Sequence, residues 1–236
     1  MSFVFDGDPI EGHTVRVFDR ALAELRLNTV AMGGLVIDQV GTAVRALLDG
    51  DATLANLVLS REQQVNRAQD QIDREAFELI ALHQPMAGDL RLARAITRIT
   101  IDLERAGDEA KKIARFALAL TTRGEVSAPV TAASRYLRHM AELSAGMLRH
   151  SVRALDEWDI ELAQSVATRD EELDDEFETA MRQMFTVVME GEKFLRTTIN
   201  TVFALKGLER IGDHAKNIAE QVVFMLNGAQ RVSVTK

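Results

Sequence analysis

A pair of acidic residues occurs twice in this sequence, each time inside a longer repeated segment. Residues 103–114 read Leu-Glu-Arg-Ala-Gly-Asp-Glu-Ala-Lys-Lys-Ile-Ala, and residues 208–219 read Leu-Glu-Arg-Ile-Gly-Asp-His-Ala-Lys-Asn-Ile-Ala. Nine of the twelve positions are identical, at an offset of 105 residues. Both copies keep a glutamate followed four residues later by an aspartate: Glu104 with Asp108, and Glu209 with Asp213. Carboxylates one helical turn apart offer hard oxygen ligands to ions such as Mg, Mn or Fe, so the repeat indicates metal chemistry.

The position of these acids on a helix allows two interpretations. Both pairs are expected on exposed faces, away from an apolar cluster that in the first copy comprises Leu103, Ala106, Ala110, Ile113, Ala114 and Ala117. For a single motif, a solvated acidic face with weak ion pairs to Arg105 and Arg210 is the ordinary interpretation. Duplication favours a ligand site. Gly107 and Gly212 support it, because a glycine inside a helix costs about 1 kcal/mol relative to alanine, which suggests that another backbone or a ligand comes close.

A second helix in each half should complete the site. Asp170 and Asp174, again four residues apart, flank an apolar stripe and are expected to meet the acids of the last helix. An equally simple interpretation of Asp170 is an acidic residue near a helix N-terminus, where it complements the macrodipole. The first half is less acidic, with two amides where carboxylates would be expected; its corresponding residues are Glu62, Asn66, Gln69 and Asp73.

Turn signals divide the chain into six helical segments of about 30 residues or more. Asp51 and Asp159 suit helix N-caps, whereas Gly124 and Gly228 suit C-terminal stops. Long helices joined by short turns run antiparallel to their neighbours. The sequence therefore predicts an all-α fold that is a tandem repeat of two three-helix up-and-down bundles, with a linker near 121–128. The two bundles should span residues 13–122 and 128–227.

Composition agrees with a helical protein of the cytoplasm. Of 236 residues, 47% are hydrophobic and 27% charged, with 3 Pro and 5% aromatic residues, so a strand-rich fold is not expected. The net charge of −8 argues against a nucleic-acid surface. Cysteine is absent, which excludes disulfides and thiolate metal sites. No signal-peptide pattern or uninterrupted apolar run near the ~18 residues of a membrane span is present, so no membrane insertion is expected.

The sequence gives little indication of other kinds of functional site. The five histidines are scattered, and none follows a glutamate at the three-residue spacing of di-iron bundles. His214 is expected to be exposed, because adjacent helical residues point about 100° apart and Asp213 is directed elsewhere. No glycine-rich phosphate loop is present. Trp158 is expected to be a packing anchor at a turn.

The doubled Leu-Glu-Arg-x-Gly-Asp-x-Ala-x-x-Ile-Ala signature resembles the PhoU family, the phosphate-transport regulators of bacteria. Further matching segments are Met32 to Val36, Val65-Asn66 to Ile72-Asp73, and Gln84 to Arg91. The resemblance covers nearly the whole chain. It implies tandem three-helix bundles that carry clusters of divalent or trivalent metal ions (Fe, Mn, Mg or Zn) on surface carboxylates. Carried over residue by residue, the metal ligands would be Glu104, Asp108, Glu209, Asp213, Asp170, Asp174, Glu62 and Asp73.

The resemblance also implies a regulatory role without enzymatic activity. The protein would couple the ATPase subunit of a phosphate ABC transporter to a sensor histidine kinase and hold phosphate-starvation genes off. Two alternatives are a metal-binding helical scaffold or storage protein and a carboxylate-metal phosphoesterase. The phosphoesterase lacks a general acid or base beside the acids. A homodimer is expected, although no sequence feature establishes it.

Overall fold

The computed structural model describes residues 16–86, 88–123, 128–189 and 194–233, and nearly all of them are helical. The six helices are α1 (Arg16–Asp49), α2 (Ala52–His83), α3 (Gly88–Arg123), α4 (Ala128–Glu157), α5 (Ile160–Met189) and α6 (Leu195–Ser233). The predicted all-α fold with six long helices is confirmed.

Local sequence sets most of the helix ends. Asp51 caps α2, since its carboxylate accepts hydrogen bonds from the backbone N–H groups of Thr53 (2.7 Å) and Leu54 (3.1 Å). Asp159 caps α5 in the same way, accepting from the N–H of Leu162 at 2.9 Å. The predicted stop at Gly228 is wrong, because α6 continues to Ser233; one glycine is too weak a penalty to end a helix of this length. Gly124 and the core of the predicted linker lie outside the described residues.

Each half of the chain forms a three-helix bundle. In the first half α1, α2 and α3 pack against one another, and in the second half α4, α5 and α6 do so. The halves then pack through two helix pairs, α1 with α4 and α3 with α6. Buried apolar residues of both halves belong to a single hydrophobic cluster. The division into bundles at 13–122 and 128–227 stays a prediction, because the core is continuous across the two halves.

The first helix is long and apolar enough, by length and composition alone, to cross a membrane. In this fold, however, 56% of its most apolar stretch is buried, and α1 contacts α2, α3 and α4. Its hydrophobicity is therefore explained by its place in the core.

Helices α3 and α6 run antiparallel and cross at the repeated motif. Arg210 of α6 lies beside Glu109 of α3, and His214, further along α6, lies beside Asp102, further back on α3. Contacts between equivalent helices, α1 with α4 and α3 with α6, are what an approximate two-fold axis between the halves requires. The outer helices α2 and α5 therefore lie on opposite sides of the molecule.

The motif glycines serve helix packing. A Cβ atom at Gly212 would overlap the side chain of Leu173 on α5, which is fully buried. At Gly107 it would lie 3.4 Å from the Gln39 side-chain oxygen and 3.6 Å from a Val65 methyl group. The predicted close approach is present in the second half, but a buried side chain makes it. The glycines are thus no indication of a ligand.

We expect Gly212→Ala to destabilise the protein by about 1–3 kcal/mol, because the fully buried Leu173 side chain would have to shift away from the added methyl group. Gly34→Ala is the matched control: Gly34 is exposed on α1 with nothing near its missing Cβ. That change should stabilise the helix by up to about 1 kcal/mol. Chemical denaturation of both variants tests this, and equal effects would show that α5 and α6 pack less closely than described.

Candidate metal centre

In the second half, four carboxylates gather along the edge between α5 and α6. Asp170 and Asp174 lie on α5, and Glu209 and Asp213 lie on α6. Burial raises the pKa of Asp174, and repulsion from Asp170 and from Asp213 on α6 adds to the shift. The charge of Asp174 in turn contributes to the raised pKa of Glu209. The predicted meeting with the α6 acids is therefore observed for Asp174, whereas Asp170 contacts α6 through Lys216.

The first half repeats this arrangement between α2 and α3 with fewer charges. Burial raises the pKa of Glu104, and repulsion from Asp108 and Glu62 adds to the shift. Matching buried residues of the outer helices (Val58 with Val166, and Val65 with Leu173) are 108 positions apart, so Glu62 corresponds to Asp170. By the same offset Asn66 corresponds to Asp174, which leaves three carboxylates and an amide in the first half.

Asp73 stands apart from this group. It lies eleven residues beyond Glu62, about 16 Å along α2 at the α-helical rise. Burial raises the pKa of Asp73, and the charge that adds to the shift belongs to Asp70, not to a motif acid. Its assignment as a metal ligand stays a prediction, like that of the other seven acids.

Exposure of the motif acids differs from expectation. The Glu209 side chain is only 12% exposed, so the prediction of an exposed face is wrong for this residue. A helical projection of α6 alone cannot show that side chains of neighbouring helices cover Glu209. Asp213 is exposed as predicted, and Asp108 is partly exposed.

Lysines lie among the acids of both halves. Lys111 donates hydrogen bonds to Glu62 and to Asp108 (3.3 Å to the latter). Lys216 donates to Asp170, and Lys206 donates to Glu209. Sequence reasoning missed these contacts, although Lys111 and Lys216 are one of the identical pairs of the repeat. That identity was the available signal.

In donor chemistry the acids fit a hard cation. Carboxylate oxygens are the ligands that Mg, Mn and Fe take, and one buried carboxylate oxygen of Glu209 has no hydrogen-bond partner within the described residues. In the present rotamers, however, no three Asp, Glu, His or Cys side chains of the described residues converge to coordinate one ion. A metal would therefore require these side chains to turn from the lysines toward the ion.

His214 is not exposed, contrary to expectation. Its Nδ1 lies 2.9 Å from a carboxylate oxygen of Asp102, and its side chain is 16% exposed. Asp102 is buried, and it also accepts a hydrogen bond from Asn217 at 3.3 Å. The Asp102–His214 pair joins the two halves across the α3–α6 contact. The sequence could not reveal it, because Asp102 lies 112 residues away.

A polar cavity of about 540 Å³ opens where α3 and α6 cross. Its lining consists of four pairs of repeat-equivalent residues: Arg105 and Arg210, Asp108 and Asp213, Glu109 and His214, Lys112 and Asn217. Asp108 and Asp213 thus border both this shared cavity and the acidic edge of their own half.

Comparison with known proteins defines the class of this two-repeat helical fold. The PhoU domain model matches residues 29–117 and 137–222. A phosphate-specific transport system accessory protein PhoU homolog of Pseudomonas aeruginosa is 40% identical over 221 residues, which cover 94% of this chain and 90% of the relative. A homolog of the same description from Caulobacter vibrioides is 38% identical, with 94% of each chain covered.

Two solved structures have the same fold as this chain. The crystal structure of PhoU from Pseudomonas aeruginosa superimposes with a TM-score of 0.83 at 41% identity, covering 89% of this chain and 99% of that one. The crystal structure of the phosphate transport system regulatory protein PhoU from Streptococcus pneumoniae superimposes with a TM-score of 0.79 at 27% identity, covering 88% of this chain and 96% of that one. The chain belongs to the PhoU family.

The raised pKa of Glu104 makes a testable prediction about stability without metal. A carboxyl whose folded pKa exceeds its ordinary value of 4.5 stabilises the fold below that pH and loses this contribution as pH rises through the folded pKa. Glu104→Gln should therefore raise the melting temperature at pH 7 in the presence of a chelator. The gain should vanish below pH 4.5, where the wild-type carboxyl is protonated in both states.

The matched control is Glu178→Gln, at an exposed position of α5. It should change the melting temperature little at either pH. A Glu104→Gln variant that melts lower than wild type at pH 7 would show that attraction to Lys111 and Arg105 outweighs burial and repulsion at this site.

Proposed function

We propose that this protein is a regulatory adaptor of phosphate uptake. It would bind the ATPase subunit of a phosphate ABC transporter and a sensor histidine kinase, and it would hold phosphate-starvation genes off when phosphate is adequate. Family membership over most of the chain carries the proposal, since relatives that match 94% of it are named accessory proteins of the phosphate-specific transport system. The proposed role is not enzymatic and belongs to a soluble protein of the cytoplasm.

We further propose that the two acidic edges hold metal ions on Glu62, Glu104 and Asp108 in the first half and on Asp170, Asp174, Glu209 and Asp213 in the second. Two features support this. Equivalent acids occupy equivalent edges of both bundles, and burial with mutual repulsion raises the pKa values of Glu104, Asp174 and Glu209. A bound cation would relieve that repulsion. With four carboxylates, the second half is the stronger candidate.

The acids at each edge would bind and orient the metal, while Arg105, Arg210 and Lys112 border the cavity between the halves. Metal binding would remove negative charge from Asp108 and Asp213, at the rim of that cavity. A surface whose charge changes with metal occupancy suits recognition of a charged partner. A homodimer would present these surfaces twice.

A binding assay against the transporter's ATPase subunit and the kinase's cytoplasmic region tests the adaptor proposal. Wild type is compared with a variant carrying Ala at Glu104, Asp108, Glu209 and Asp213, and metal content is measured by mass spectrometry. We expect wild type to bind both partners and the variant to lose metal and at least tenfold in partner affinity, or about 1.4 kcal/mol.

The control variant removes the same charge from exposed positions: Ala at Glu78, Glu171, Asp175 and Glu178. It should keep both metal and partners. Loss of metal with full partner binding would favour a metal-storage role for the acids. No binding of either partner by wild type would contradict the adaptor role.

A further inference from the structure

Each half of the molecule already places a positive charge among the acids proposed to hold metal. The Lys111 ammonium lies between Glu62 on α2 and Asp108 on its own helix, and the Lys216 ammonium lies against Asp170 on α5. Lys111 and Lys216 are equivalent residues of the 105-residue repeat, and Glu62 and Asp170 are equivalent residues of the outer helices. The same ion pair therefore forms twice.

The acids that accept from these lysines are shielded from water. The Asp170 side chain is 7% exposed and that of Glu62 is 22% exposed. A carboxylate removed from water is costly unless a cation or hydrogen-bond donors compensate it. The lysines supply this compensation when no metal is bound.

An ammonium group and a metal ion cannot share these oxygens. A coordinated cation lies about 2.0–2.6 Å from each carboxylate oxygen, and two positive charges at such spacing repel strongly where water is excluded. Binding of a metal by Glu62 or Asp170 therefore requires the lysine to leave. Both lysines have long flexible stems that allow them to turn toward solvent.

We infer that Lys111 and Lys216 are built-in counter-cations, which neutralise the acidic edges without metal and are displaced when metal binds. This inference rests on the proposed metal sites. At each site the metal ion would replace the lysine ammonium. The lysine therefore lowers the affinity of the site for metal and stabilises the bundle when no metal is bound. Metal binding also releases an ammonium group at the surface of each half.

Neighbouring lysines differ in ways that provide a control. Lys112 adjoins Lys111 in sequence, but its side chain is 58% exposed and it pairs with Glu109, which is not a proposed ligand. Its repeat equivalent is Asn217, so no matching ion pair exists in the second half. Lys206 contacts Glu209, but its repeat equivalent is Ile101; it acts in the second half alone.

The first test measures Mn²⁺ affinity by calorimetry on the full chain. Lys111→Met and Lys216→Met keep an apolar side chain of similar length and remove the competing charge. We expect each to bind Mn²⁺ roughly tenfold more tightly in its own half than wild type, as expected for removal of a competitor worth about 1.4 kcal/mol. Lys112→Met should leave the affinity unchanged.

The second test uses wild type, so it does not depend on a variant that folds. Lysine acetylation is followed residue by residue by mass spectrometry, with and without Mn²⁺. The rates at Lys111 and Lys216 should rise several-fold when the metal is added, and the rate at Lys112 should stay constant.

The outcomes separate the inference from the proposed function. Wild-type Mn²⁺ binding with unchanged acetylation rates and unchanged affinities in both variants would overturn the lysine exchange and leave the metal sites in place. Absence of Mn²⁺ binding in wild type and in all variants would overturn the metal sites themselves, and the lysine exchange with them.

Discussion

The antiparallel contact between α3 and α6 constrains the repeated motif on two sides at once. One side of each motif helix packs on the opposite motif helix, where Glu109 meets Arg210 and Asp102 meets His214. Another side packs into its own bundle, closely enough at Gly212 that Leu173 occupies the space of a missing methyl group. The acids are left with the edge toward the outer helix. Asp108 and Asp213, one from each edge, nevertheless both border the cavity where α3 and α6 cross.

The electrostatic balance at these edges follows from that confinement. Glu104, Asp174 and Glu209 lie close to other carboxylates, and burial first and repulsion second raise their pKa values. Hydrogen bonding to Asp170 raises the pKa of Lys216, since the ammonium form is favoured there. Both halves thus contain carboxylates that repel one another, and nearby lysines offset part of this repulsion.

The sequence was sufficient for features that depend on local pattern and repetition. Helical periodicity and the caps at Asp51 and Asp159 predicted the elements, and the repeat predicted that the halves are alike. Features that depend on a neighbouring helix were harder. The prediction that His214 is exposed is wrong because its partner Asp102 lies 112 residues away in sequence. The same prediction is wrong for Glu209 because a projection of α6 alone leaves out the neighbouring helix. Lys111 and Lys216 are identical positions of the repeat. A lysine three residues after an aspartate, however, ordinarily forms only a weak surface ion pair with it, so the sequence did not single them out.

Anomalous diffraction from crystals soaked in Mn²⁺ would show whether both acidic edges hold hard cations. We expect anomalous peaks at both edges, one beside Glu62, Glu104 and Asp108 and one beside Asp170, Asp174, Glu209 and Asp213, with the stronger peak in the second half. Peaks elsewhere on the surface, or ordered lysines on the acids at saturating Mn²⁺, would contradict it.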